Sequence, residues 1–519
     1  MRKEELSLAT LANGRALSLA ALPLMSAAEL ALALREGLGL GLRISAYFGV
    51  PGEEGGESRL FAILADDERN RLFVGRAQTE GGAFPSVARE FPQAQLFERE
   101  IAEQLGLVPE GHPWLKRVRF RRSWTGREVW GPGILPGVIP EILPGVCDFY
   151  QVEGEQVHQV AVGPVHAGVI EPGHFRFQCH GERVFHLEIA LGYQHRGIEE
   201  AMIGGPAARS IHYAETAAGD SSIAHATSYC QALEALASGP GHGSPPRAQA
   251  IAAIALELER IANHVGDLGA LAGDVGYLPS ASFCGRLRGD FLNMSALICG
   301  SRFGRGLLRP GGLACDLDPG LAEELERRLK AAERDSSGAI DLMLENQSVL
   351  ARLEDTGVVP RETAIELGLV GPAARASGLA RDLRFDQSSG IYRLAQIPVS
   401  TAESGDALAR AYVRRLEVQR SIAFVRELLG SLPAGPVRAE GSSGPLAPDS
   451  LVVAMNEAWR GEACHVAITD GEGRFARYKI VDPSFHNWPA LAYAMRDEEI
   501  SDFPICNKSF NLSYCGHDL

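Results

Sequence analysis

The sequence predicts an α+β protein: a small N-terminal α+β domain, then a large helical bundle carrying small antiparallel sheets. Three observations lead there. Residues 1–125 mix strand-like apolar runs with one clearly amphipathic helix. From His158 to Tyr193, apolar and polar residues alternate as in a short antiparallel sheet. Beyond Ile198, long segments repeat apolar residues at helical spacing up to about Glu427.

In order along the chain, the longest apolar run covers Ala16 to Leu34 and is broken by Ser18, Pro23, Ser26 and Glu29. It is too interrupted to span a bilayer and reads as an amphipathic helix continuing through Arg35 and Glu36, ending near Gly37–Gly41. LRISAYFGV and SRLFAILADD read as strands around the turn PGEEGGE, and RNRLFVGRA as a third. FEREIAEQLGL places Phe97, Ile101 and Leu105 on one helical face, and GHPWLKRVRF closes the domain. Residues 126–157 are a linker dense in Gly and Pro, and 158–519 form the second domain. Its clearest helix opens at Pro245-Pro246 and carries the stripe Ile251, Ile254, Leu258, Ile261 and Val265. LAEELERRLKAAERDSSGAIDLMLE and ALARAYVRRLEVQRSIAFVRELLG supply two more long helices. GPVRAEGSSGPLAP is a loop, after which LVVAMNEAWRGEACHVAITDGEGRFARYKIVDP reads as a hairpin-rich sheet turned at Asp470-Gly471. The last residues read as a short helix and an extended tail. Phe503, Ile505, Phe510 and Tyr514 make that tail too apolar to dangle, so it inserts into the core.

Composition narrows the function. A net charge of −15 argues against nonspecific binding to nucleic acid or anionic lipid. Nine cysteines without a single CxxC point to reduced thiols, and exclude a local zinc ribbon or the usual iron–sulfur cysteine runs. The N-terminus carries acidic residues before any apolar core, which does not fit a secretory signal.

The stretch from Gly192 to Glu234 concentrates polar groups. An Arg-Gly-Ile-Glu turn, Arg196 to Glu199, precedes the cluster Gly219-Asp220-Ser221-Ser222, and a helical run with His225, Tyr229 and Gln231 follows. Asp220, Ser221 or Ser222 is expected to cap that helix. Capping does not explain why so many polar groups converge here.

VGPVHAGVIEPGHFRF (162–177), GYQHRGIEE (192–200), ELERIANHVGDLG (257–269), NEAWRGE (456–462), RYKIVDPSFHNWPAL (477–491) and DFPICNKSFNLSY (502–514) together resemble the large subunits of energy-converting, membrane-bound nickel–iron hydrogenases, including formate hydrogenlyase. These are related to the quinone-site (D-type) component of complex I. FPQAQLFEREIAEQLGLVPEGHPWLKR (91–117) is similar to the C-type component of complex I, fused in such proteins. The resemblance implies a domain like the complex I C-type component at 1–125 and a hydrogenase large-subunit-like domain at 158–519.

The family holds nickel and iron on four cysteines in two CxxC pairs, since soft thiolates suit these metals. At the matching positions stand Ala218, Ser221, Ser513 and Gly516, with Cys515 one residue out of register. The resemblance therefore implies a site without the nickel–iron centre and no directly bound cofactor. The tyrosine that faces a quinone headgroup in complex I is matched by Gly219. The sequence stops at CGHDL, where nickel-loaded relatives often carry a removable extension, which agrees with the absence of a metal-insertion step. Glu171, Glu199, Asp220, His225 and Arg460 are the expected site residues, with Glu171, Glu199 and His225 as proton-handling candidates. Glu199 could equally tie its turn to a buried partner, and Arg460 could pair with Glu457 or Asp470. Cys515 and His517, with Asp220 and His225, are the weaker alternative metal ligands. Implied partners are an iron–sulfur small subunit, similar to the B-type component of complex I and carrying a [4Fe-4S] cluster, and antiporter-like membrane subunits, on the cytoplasmic side of the inner membrane. The function implied is electron transfer coupled to proton or ion translocation. The alternatives are a non-catalytic coupling subunit, or a true hydrogenase with atypical ligands.

Overall fold

The computed structural model describes residues 3–52, 56–130, 142–167, 170–237, 243–440 and 444–519. Strands Arg43–Val50, Arg59–Asp66 and Arg71–Gln78 form an antiparallel sheet as the sequence predicts, extended at its edge by Ala9–Leu11. Helix Gln95–Leu105 packs on it through Phe97, Ile101 and Leu105, each 1% exposed. The segment 16–34 departs from the expected single helix. Pro23 and the capping box of Ser26 with Glu29 hold the helix start back to Ala27, and it ends at Gly39. Upstream, Arg15–Ser18 is a strand paired with Ser450–Val453, so the N-terminal segment joins the C-terminal sheet. Of the linker, residues 131–141 lie outside the described residues, and 142–156 hold no helix or strand.

The second half begins with the expected antiparallel sheet, Val157–Val162, His174–His180 and Arg183–Ala190. Helices Ser222–Leu236, Pro246–Asp274, Leu278–Cys299, Pro319–Leu344 and Ala407–Gly430 form the bundle. All five residues of the Ile251–Val265 stripe are buried, which anchors the long helix at the centre of the largest apolar cluster. Ser450–Ala458, Gly461–Thr469 and Phe475–Val481 make an antiparallel meander on which helix Ser222–Leu236 lies. The C-terminal tail is not extended. Helix Pro483–Ala494 is followed by helices Phe503–Phe510 and Tyr514–Asp518, whose Phe503, Ile505, Phe510 and Tyr514 side chains are buried. Pro504 at the first turn, Asn511 in the left-handed conformation and Ser513 as an N-cap allow two short helices where the apolar pattern alone suggests a strand. No helix among the described residues is long and apolar enough to cross a membrane.

Candidate functional site

Three elements meet at the start of helix Ser222–Leu236: the loop before it, the Trp459-Arg460 hairpin turn, and the last helix, Tyr514–Asp518. None of the expected capping side chains caps the helix. Ser221 occupies the N-cap position without a side-chain bond, and its buried hydroxyl has no partner. Glu259 caps it instead from the neighbouring helix, accepting from the backbone N–H of Ile223 at 2.8 Å and Ala224 at 3.3 Å. Burial pushes the Glu259 carboxyl up to about 8 in spite of those two donors.

Released from capping, Asp220 turns to the hairpin. Its carboxylate takes a bidentate bond from Arg460 at 2.6 and 2.9 Å, while its backbone carbonyl accepts from Trp459 Nε1 and Asn263 Nδ2. Arg460 also donates to the carbonyl of Asn511 and stacks 3.8 Å from the Trp459 ring centroid. Neither Glu457 nor Asp470 is its partner: Glu457 binds Arg375, and Asp470 binds its own turn. Burial opposes the Arg460 charge, but the Asp220 carboxylate more than compensates and raises its pKa above the usual arginine range. Asp220 keeps 32% of its side chain exposed, so this ion pair is the part of the site open to solvent.

His225, one turn into the helix, points the other way, into the protein. Its Nε2 lies 3.0 Å from Asp482 Oδ2, and its Nδ1 lies 3.0 Å from His465 Nε2. His465 Nδ1 in turn lies 2.9 Å from the Tyr478 hydroxyl. Tyr478 can thus donate to His465, His465 to His225 and His225 to Asp482, in one direction along a chain of fully buried groups. Burial opposes the charge on Asp482, but His225 and Arg460 outweigh it and hold the carboxyl below its usual range. Burial, reinforced by His225, keeps His465 neutral. Asp482 also caps helix Pro483–Ala494 through Ser484 N–H. A Cβ placed on Gly516 would lie 2.5 Å from Asp482 Cγ, so the carboxylate fills the space that any side chain at position 516 would need.

The other expected residues are held by the same tail. Glu171 accepts from the N–H groups of Tyr514 and Cys515, both at 3.3 Å, and so caps the last helix. Ser513 caps it as well, through Gly516 N–H at 2.9 Å. Arg196 donates to the carbonyls of Thr216, Ala217 and Cys515, tying the turn both to the Asp220 loop and to the tail. Glu199 faces away from them, toward the N-terminal domain. It pairs with Arg477 at 2.8 Å and Lys479 at 3.0 Å, and accepts from Ile480 N–H. Burial works against its charge, but Lys479, Arg477 and Arg119 together hold it well below the usual carboxylate range.

Ala218 is fully buried. Cys515 packs by Ser513 and Glu171, and burial with that carboxylate pushes its thiol up to about 11. His517 bonds Asp518 and stacks on Phe485, away from Asp220 and His225. Among the described residues, no three His, Cys, Asp or Glu side chains are placed to share a metal ion. Sequence reasoning missed Glu259, His465, Tyr478 and Asp482. The signals present were Asp482-Pro483, a cap-plus-proline helix start, and His465 standing alone in an apolar strand.

The fold joins a small α+β domain to a helical bundle whose C-terminal tail packs beside a loop-and-hairpin ion pair. Residues 26–130 match the family described as the 30 Kd subunit of respiratory-chain NADH dehydrogenase, and residues 274–450 and 439–518 match its 49 Kd subunit. The chain is 33% identical over 361 residues to the carbon monoxide-induced hydrogenase of Rhodospirillum rubrum, a match covering 68% of this chain and 97% of that protein. It is 28% identical over 438 residues to formate hydrogenlyase subunit 5 of Escherichia coli (strain K12), covering 83% and 76%. With the fused C/D component of the NADH-quinone oxidoreductase of Gluconacetobacter diazotrophicus it shares 27% over 475 residues, covering 82% and 77%. The chain belongs to the family that joins the fused 30 and 49 Kd subunits of complex I with the large subunits of membrane-bound hydrogenases.

Proposed function

We propose that this chain is the large subunit of a membrane-associated, hydrogenase-like oxidoreductase complex in which electron transfer is coupled to proton or ion translocation, and that it works without a nickel–iron centre. The observation that carries this reading is the fit of Asp482 against Gly516. At one ligand position of the relatives a side chain would collide with a buried, paired carboxylate. The remaining positions offer an alanine and two serines. One serine hydroxyl has no partner and the other is spent on a helix cap. This donor set does not suit nickel, which in such sites takes thiolates.

In this reading the pocket handles protons, and His225 is its central group because it sits in the hydrogen-bonded chain from Tyr478 through His465 to Asp482. Glu199 and Glu171 hold the turn and the tail in place. A small subunit with a [4Fe-4S] cluster docks beside the Asp220–Arg460 pair, the solvent-open edge of the site, and antiporter-like subunits anchor the assembly at the cytoplasmic face of the membrane.

The saturation of Glu199 and Asp220 by ion pairs favours a second reading, a coupling subunit with no chemistry of its own. Redox turnover of the intact complex separates the two. The catalytic-pocket reading expects His225→Ala to lower turnover and alter its pH profile, with the complex still assembled. Unchanged turnover and profile would leave only the coupling role.

A further inference from the structure

Away from that pocket, the helical half encloses a second group of ionisable side chains. Helix Pro246–Asp274 contributes Glu257, Arg260 and His264, and helix Ala407–Gly430 contributes Glu417. Arg375, Asp382 and Arg384 come from the two short helices between them and the turn that joins these, and Glu457 from strand Ser450–Ala458. None of these residues is more than 4% exposed. They form two hydrogen-bonded groups joined by longer ion pairs, Arg260 with Glu417 at 3.6 Å and Arg375 with Asp382 at 3.7 Å. Arg375 reaches Glu417 at 2.7 Å and Glu457 at 2.7 Å; Arg384 reaches Asp382 at 2.6 Å and Glu257 at 3.1 Å. Arg260 donates to Glu257 at 3.0 Å, and His264 Nε2 lies 2.8 Å from Glu417.

The charges do not balance. Four carboxyl groups face three guanidiniums, and guanidiniums do not give up their protons inside proteins. His264 cannot supply the missing charge: burial, despite Glu417, takes its imidazole down to about 4, and its Nδ1 has no partner. Fully ionised, the set would carry a net negative charge where water does not reach, which is costly. One bound proton removes that charge.

The bonding identifies which carboxyl takes it. Glu257 accepts from Arg260, Arg384, Ser421 and Tyr392, and Glu417 from Arg375 and His264. Asp382 accepts from Arg384 through both oxygens. Glu457 has a single charged donor, Arg375, besides the N–H of Leu383. It also faces Asp382, and Glu462 stands directly across the strand pair, itself bound to Arg43. Arg260 and Arg384 attract it from further off. Burial is the largest influence on Glu457 and raises its carboxyl, whereas Glu257, Glu417 and Asp382 are all held low.

We propose that Glu457 is a proton-binding site, holding one proton at neutral pH. The proposal is independent of what occupies the Asp220 pocket. Infrared difference spectroscopy of the full chain against its Glu457→Gln variant at neutral pH tests it. The carbonyl band of a neutral carboxylic acid is expected to be lost in the variant. Because glutamine copies the shape and charge of the neutral acid, this variant is expected to fold with an unchanged melting temperature. Glu417→Gln, which removes an ionised partner of Arg375, should lose folded protein. Loss of a carboxylate band in place of the acid band, or unfolding of Glu457→Gln alongside Glu417→Gln, would overturn the assignment.

Discussion

Asp482 and Gly516 share one space: the carboxylate that accepts from His225 also lies where a side chain on residue 516 would begin. This contact joins the His225 hydrogen-bonded chain to the tail, and it makes the lack of a side chain at 516 a packing requirement.

Gly516→Cys is therefore expected to destabilise the protein by about 1–3 kcal/mol, the usual cost of overfilling a packed interior. Asp482→Ala alone should also destabilise, since it strips His225 and Ser484 of their acceptor. In the double variant the two losses should sum to less than their separate values. Urea denaturation of the four proteins measures that coupling, and strict additivity would show that the two positions do not compete.

Replacing His225 with Ala leaves Asp482 and His465 buried without a shared partner. The expected loss is about 1–3 kcal/mol or more, because an ionised acceptor is left unsatisfied. His225→Gln, which can bond one neighbour, should lose less. Equal stability of the two variants in thermal melts would contradict the chain as drawn.

Glu199 sets an acid limit. Its folded-state carboxyl lies well below its ordinary value of 4.5, so its contribution is fully present above that value and fades as pH falls through the folded one. Glu199→Gln should cost about 3–5 kcal/mol at neutral pH by leaving Arg477 and Lys479 short of a partner. It should also flatten the acid limb of a stability–pH curve. A parallel limb in wild type and variant would refute this role.

Glu259 acts with the opposite sign. Its carboxyl is raised from 4.5 to about 8, so the protonated folded state is favoured and the contribution is lost as pH climbs between those values. Wild-type melting temperature should decline across that window, and Glu259→Gln, which still caps Ile223, should show a shallower decline. The comparison isolates the trans cap from every other titrating group.

Much of this fold was readable because apolar period and turn residues agree locally. The Ile251–Val265 stripe, the Phe97–Leu105 face and the Asp470-Gly471 turn all stand where the pattern puts them. The failures share a cause. Arg15–Ser18 forms a strand because Ser450–Val453 offers an edge more than four hundred residues away, a partner invisible in local composition. Helix Ser222–Leu236 is capped by Glu259 and not by its own Asp or Ser, since a buried glutamate on the adjacent helix reaches the N–H groups first. Asp220 and Arg460 were both legible as site residues, but not as partners, because only the folded hairpin brings them together. In the ionic set around Arg375, Glu257, Arg260, His264 and Glu457 stand in stretches that the sequence singles out, but not as partners, because only the fold brings them together with Arg375, Asp382, Arg384 and Glu417.

We propose that Asp482 takes the space a ligand side chain at position 516 would need, so that the chain holds no nickel. Nickel content of the complex, purified from cells grown with ample nickel, tests it most directly. No nickel above background is expected in this chain, together with no hydrogen uptake. One nickel per chain, retained through gel filtration, would contradict it.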